Sequence, residues 1–181
     1  MRENTPMPEV VSMSYFNELT KSMKWLGERP DTIFLGQSVK YSGNALFNTL
    51  KDVPIEKRTE LPVAEEMQLG MSIGLSLAGK VPISIYPRMN FLLCAMNQLV
   101  NHLDKLETYS NGQFKPKVII RVCVGSTAPM YPGVQHCGEY PLVLENIRIV
   151  RLKEEGNIFP AYQEAYESKL STVLIEYGDL Y

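Results

Sequence analysis

PVAEEMQLGMSIGLSLAG, residues 62–79, sets the organisation of the chain. Two adjacent carboxylates, Glu65 and Glu66, open a run with helical spacing. Gly70, Gly74 and Ala78 stand four residues apart, which lays small side chains along one face. Met71, Ile73, Leu75 and Leu77 supply apolar contacts, and Gly79 stands where a left-handed C-cap is expected. A glycine inside a helix costs roughly 1 kcal/mol against alanine, so two of them imply a packing reason. The expectation is a helix buried against another helix or subunit, with a carboxylate at its N-terminal end.

On either side of this stretch, short apolar runs alternate with helical patterns. Val10–Leu26 is amphipathic, Thr32–Val39 is strand-like, and Gly43–Leu50 is a short helix or ordered loop. Asp52–Lys57 is turn-like, and Arg58–Leu61 forms a short strand leading to Pro62. Beyond the central helix, Val81–Tyr86 is a strand and Asn90–Tyr109 a long helix, with Leu92, Ala95, Leu99, Leu103 and Leu106 on one side. Lys117–Val124, KVIIRVCV, is the clearest strand. Gly125–Gly138 is a loop, Pro141–Glu145 a helical turn, Ile147–Leu152 a strand, Asn157–Lys169 a helix, and Thr172–Tyr177 the last strand. Strands separated by helices of this length need crossover connections. The expected fold is therefore α/β: a three-layer, doubly wound, mainly parallel sheet with helices on both faces. Residues 1–8 read as a loose arm and 9–181 as one domain. In such sheets ligands bind beyond the carboxyl ends of the strands, so the loops after Leu61, Tyr86 and Val124 matter most.

Composition narrows the function. The 181 residues suffice for one domain with a substantial core, and 45% apolar with 21% charged residues is ordinary globular make-up. Eighteen basic and 20 acidic residues nearly cancel, which leaves no basic surface for nucleic acid and no reason to invoke an acidic lipid surface. Cys94, Cys123 and Cys137 are odd in number and irregularly spaced, unlike a disulfide framework or zinc site. A reducing, cytoplasmic setting is expected. The N-terminus shows no secretory pattern, and no apolar run is long enough to span a bilayer.

Few residues suggest chemistry unaided. Neither GxGxxG nor GxxxxGK[ST] occurs, so the usual phosphate-cradling loops are missing. Two histidines cannot form a His-rich metal site. His102, in a helical run, reads as structural or solvated; His136, in a loop beyond the strongest strand, is the better functional candidate. Glu65 and Glu66 compete for one role, since either can simply offset the helix dipole. Neighbours on a helix point about 100° apart, so one can face a cleft and the other water. Phe91 alone is more commonly core than ligand platform.

Taken together, these phrases resemble the pyrimidine-binding domain of thiamine-diphosphate enzymes. The likeness is to the transketolase-like type found in the β subunit of 2-oxo-acid dehydrogenase decarboxylating components. It runs from IFLGQSV to IEYGDLY. Gly36-Gln37-Ser38-Val39 matches a strand-end phrase like GEDV, and Leu61–Gly74 matches TP-[LI]-S-E-x-G with its following helix. Arg88–Phe91 with Asn97-Gln98 matches F-x-[DN]-F…DQ. Ser110–Gln113 matches SGGQ, and Gln135-His136-Cys137-Gly138 matches QHSQ.

The resemblance implies that Glu65, not Glu66, hydrogen-bonds a ring nitrogen of the cofactor's aminopyrimidine. A dry interface suits that task, because burial favours the neutral carboxyl. It implies that Phe91 stacks on the pyrimidine, that Pro87 and Asn90 line the same pocket, and that His136 faces substrate. The chain lacks the GDG…N element that holds Mg2+ and diphosphate, so both would be held by a partner subunit, in an α2β2-like hetero-oligomer. The small-residue stripe would then pack across the subunit contact. The chain stops at Tyr181, where the resembled β subunits continue into a C-terminal domain, and Arg88, Cys137 and Gly138 depart from the common pattern. The implied activity is decarboxylation of a 2-oxo acid or ketol transfer. The alternative is a non-catalytic homologue that scaffolds or regulates a diphosphate-binding partner.

Overall fold

The computed structural model describes residues 14–128 and 130–181. Six strands form one sheet: β1 (Thr32–Gly36), β2 (Arg58–Glu60), β3 (Val81–Tyr86), β4 (Ile119–Val124), β5 (Arg148–Arg151) and β6 (Thr172–Tyr177). Their spatial order is β2-β1-β3-β4-β6-β5, and every pairing is parallel. After β2 the chain returns across β1 to place β3 on its other side. The carboxyl ends of β1 and β3 therefore flank the point where strand order reverses, the ordinary place for a ligand crevice in a doubly wound sheet.

Helices cover both faces. On one side, α1 (Tyr15–Gly27), α2 (Ala45–Asn48) and α6 (Ile158–Glu167) pack with Phe34, Ile83, Ile85 and Leu174. On the other, α3 (Glu65–Leu77) and α4 (Met89–Leu93) enclose Tyr86, Ile120, Val122 and Ile175. The fully buried runs of β3 and β4 are what a sheet covered on both sides requires. The first helix begins at Tyr15, where Ser14 caps it; residues 1–8, expected to be an arm, and the start of the Val10–Leu26 helix lie outside the described residues.

Three local expectations need correction. The Asn90–Tyr109 helix is broken into α4, a π-helical turn at Gln98–Leu103, and α5 (Leu106–Tyr109). Buried Asp104 sits at the second break and accepts the backbone amides of Glu145 (3.1 Å) and Asn146 (2.7 Å). The same bonds anchor the end of the 141–145 segment, which has no regular structure, so the expected helical turn there does not form. Finally, β1 ends at Gly36, not Val39. Gly36 adopts φ +152°, and a side chain there would overlap the carbonyl oxygen of Ile85 on β3. Beyond it, the Glu60 carboxylate accepts the backbone amides of Ser38 (2.6 Å), Val39 (2.8 Å) and Lys40 (2.8 Å), which turns the chain away from the sheet.

The glycine stripe of α3 is largely uncovered among the described residues. Gly70 is half-buried near Gln98, Gly74 meets no described residue within 4 Å, and Met67, Met71 and Leu77 on the same face are exposed. No helix among the described residues is long and apolar enough to cross a membrane.

The three cysteines are all free and sharply graded in exposure. Burial pushes the Cys123 thiol up to about 12, so it stays protonated where an ordinary thiol near 8.5 ionises. At about pH 8, Ellman's reagent is expected to titrate exposed Cys94 first and half-buried Cys137 more slowly, leaving Cys123 silent until denaturant is added. Rapid modification of Cys123 in the folded chain would contradict this packing.

Candidate active site at the carboxyl edge of strands one and three

Helix α3 presents its first residue to this edge. Glu65 is only 7% exposed, whereas Glu66 is exposed and accepts Asn97 Nδ2 at 2.8 Å. The two carboxylates that competed in the sequence thus have separate surroundings. Glu66 ties α3 to the segment before the π-helical turn; Glu65 faces inward.

One oxygen of Glu65 is held. Gln37 Nε2, on the turn just past β1, donates to Oε1 at 3.0 Å. Oε2 accepts no hydrogen bond from the described residues and is not sealed off. Beneath them, Gln68 spans the strand ends, donating to Ile85 O (3.0 Å) and Ser84 Oγ (3.1 Å). Tyr86 sits below, its hydroxyl 3.5 Å from Glu65 O, and burial raises its phenol well above the ordinary value. Gln37 carries no role in the sequence reading. The available signal was a polar side chain just past an apolar strand at its carboxyl end. Its partner, 28 positions away, was not legible.

The turn after β3 carries the second cluster. Asn90 Oδ1 lies 3.1 Å from His136 Nδ1, and the rings of Phe91 and His136 meet edge to face at 5.6 Å. His136 belongs to a short 3-10 turn, Val134–His136, that packs on α4. The contact suits the tautomer with its hydrogen on Nδ1, and Nε2 has no partner among the described residues. Pro87, Asn90, Phe91 and His136 are all half-buried. The structure therefore brings Asn90, Phe91 and His136 into contact. It places Glu65 with Gln37 over Tyr86, one residue before Pro87. His102 lies apart, exposed on the π-helical turn. No group of three or more His, Cys, Asp or Glu able to hold a metal occurs among the described residues.

A buried carboxyl with one oxygen free of described partners can share a proton with a nitrogen of a flat heteroaromatic ring. It does not suit a diphosphate or a divalent cation. The residues present thus fit the pyrimidine end of thiamine diphosphate.

The fold is shared with solved structures. A structure described as the inactive β4 tetramer of a split-gene transketolase superposes with TM-score 0.68 at 21% identity, covering 91% of this chain and 50% of that one. Benzoylformate decarboxylase from Polynucleobacter necessarius superposes with TM-score 0.55 at 13% identity, over 98% of this chain and 34% of that one. The fold, a six-stranded parallel sheet between helices, is the thiamine-diphosphate-binding fold shared with these structures. No family model matches the chain. In sequence, it is 31% identical over 100 residues to the pyruvate dehydrogenase E1 component subunit beta of Cyanidium caldarium, covering 53% of this chain and 30% of the relative. It is 30% identical over 125 residues to the chloroplastic beta-3 subunit of Oryza sativa, covering 67% of this chain and 32% of the relative. The 2-oxoisovalerate dehydrogenase subunit beta of Bacillus subtilis matches at 27% over 117 residues, 62% of this chain and 36% of the relative. The chain is a homologue of these dehydrogenase β subunits and spans about a third of their length.

Proposed function

We propose that this chain is the pyrimidine-binding subunit of a split thiamine-diphosphate enzyme that acts on a 2-oxo acid or a ketose by decarboxylation or ketol transfer. Residues 9–181 form its single pyrimidine-binding domain. The observation that carries the reading is the open Oε2 of Glu65 at the strand-order reversal, with Oε1 fixed by Gln37. Homology to dehydrogenase β subunits supports the same conclusion.

When bound, thiamine diphosphate supplies the electron sink for making or breaking a carbon–carbon bond beside a carbonyl. Glu65 shares a proton with a ring nitrogen of the aminopyrimidine through its open oxygen. Phe91 and Pro87 offer the flat and apolar surfaces that hold the ring and exclude water, and Asn90 fixes the imidazole of His136. His136 then has Nε2 available to exchange a proton, or to donate a hydrogen bond when protonated, at the substrate oxygen.

The diphosphate and Mg2+ fall to a partner subunit carrying GDG…N, and the cofactor lies between the two chains. The exposed face of Met67, Met71 and Gly74 supports this arrangement, because an apolar stripe with no cover marks a contact surface. Three free cysteines agree with a reducing, cytoplasmic setting. The test is to co-express the chain with a candidate GDG…N subunit. The pair is expected to bind thiamine diphosphate in calorimetry with Mg2+ present and to consume a 2-oxo acid or ketose, while neither chain does so alone. Turnover by this chain without a partner, or an assembled pair that binds no cofactor, would overturn the reading.

A further inference from the structure

The arginines of the described residues are engaged, with one exception. Arg29 and Arg58 donate to carbonyl oxygens, and Arg121, Arg148 and Arg151 to carboxylates. Arg88 makes no hydrogen bond or ion pair with any described residue, although it is half-buried. A guanidinium partly withdrawn from water with no counter-charge is electrostatically incomplete.

Its surroundings make room for it. Arg88 follows Pro87 at the carboxyl end of β3 and precedes α4. Its Nη1 lies over Gly125, beside the carbonyl oxygen of His136, in space that any side chain at 125 would occupy. Arg88, Pro87, Ser126 and Asn44 help to line a cavity of about 60 Å³, and no carboxylate side chain lines it. That is the share of about two waters, enough to admit the oxygens of a carboxylate or the edge of a phosphate head. A planar guanidinium fork pairs with both kinds of oxyanion.

We propose that Arg88 is the specificity-determining residue that binds the anionic end of the carbonyl substrate. This rests on the reading of Glu65 as the cofactor-facing carboxyl and deepens it: the substrate is an anionic carbonyl compound. Its oxyanion belongs either to a phosphorylated ketose or to a 2-oxo acid.

The full chain is to be titrated with inorganic phosphate and, separately, with pyruvate, following the arginine Nε–H resonances. Saturable binding of at least one probe is expected. It should weaken by about tenfold or more in Arg88→Ala and by less in Arg88→Lys, which keeps the charge without the fork. Melting curves for both variants confirm that they fold. Preference for phosphate assigns the sugar-phosphate class, and preference for pyruvate the 2-oxo acids. Absence of saturable binding, or equal binding by Arg88→Ala, would overturn the site. So would an Arg88→Ala chain that keeps its anion affinity but assembles poorly with the partner, since that marks an interchain ion pair. The titration needs neither cofactor nor partner, so its failure leaves the role of Glu65 standing. Conversely, thiamine-dependent chemistry surviving in Glu65→Ala would sink that role without altering the titration.

Discussion

In the two-chain enzyme proposed above, Glu65→Ala is expected to slow hydrogen exchange at C2 of bound thiamine diphosphate by about 100-fold or more, the ordinary worth of a positioned proton-transfer group. The argument is geometric. Glu65 is 7% exposed, one of its oxygens is taken by Gln37 at 3.0 Å, and the other is open. Alanine removes the only carboxyl facing inward at the head of α3; Glu66 cannot substitute, because it points outward to Asn97. Gln37→Ala should give a smaller loss of about tenfold, since it frees the carboxyl to rotate without removing it. Exchange followed by NMR in deuterated buffer distinguishes the two. Wild-type exchange in Glu65→Ala would end the proposed role.

Glu176→Ala is expected to destabilise the fold by about 3–5 kcal/mol, read from urea denaturation, because it strands a buried cation. Arg121 and Glu176 are both wholly buried. Arg121 donates to the two Glu176 oxygens at 2.7 and 2.9 Å and to Thr49 Oγ1 at 2.9 Å. The hydroxyls of Tyr162 and Tyr181 also donate to Glu176. The double change Arg121→Met with Glu176→Leu should recover much of the loss, since it leaves no charge without a partner. If the single change costs under about 1 kcal/mol, the network is not closed as described. The same network sets an alkaline limit. Burial, and then the charge of Glu176, pushes the Tyr162 and Tyr181 phenols well above their usual value. The folded state holds protons that the unfolded chain releases near about pH 10. The stability they contribute is therefore complete below that pH and is lost as the pH rises beyond it.

The sheet was largely legible because its strands are continuous apolar runs. VPISIY and TVLIEY coincide with β3 and β6, since a strand buried on both faces carries its signal in every residue. The helix Asn90–Tyr109 misled for a related reason. Its apolar spacing continues across the π-helical turn, while the contact that breaks it, Asp104 to the amides of Glu145 and Asn146, comes from about 40 positions downstream. Pairing at that separation leaves no local mark. The site divides along the same line. Glu65, Asn90, Phe91 and His136 stand in phrases that can be matched, and Glu65 is buried where Glu66 is exposed. Gln37 acquires its partner only when Glu60 bends the segment after β1, a bond between residues over 20 positions apart that no periodicity encodes.

The exposed methionines of α3 bear on how the proposed subunit would live before it met a counterpart. Met67, Met71 and Leu77 offer a sticky, adaptable strip with glycine beneath it, suited to close backbone approach. An orphan copy therefore has reason to seek its own kind. If the proposed two-chain enzyme exists, balanced synthesis of both chains becomes part of keeping either of them usable.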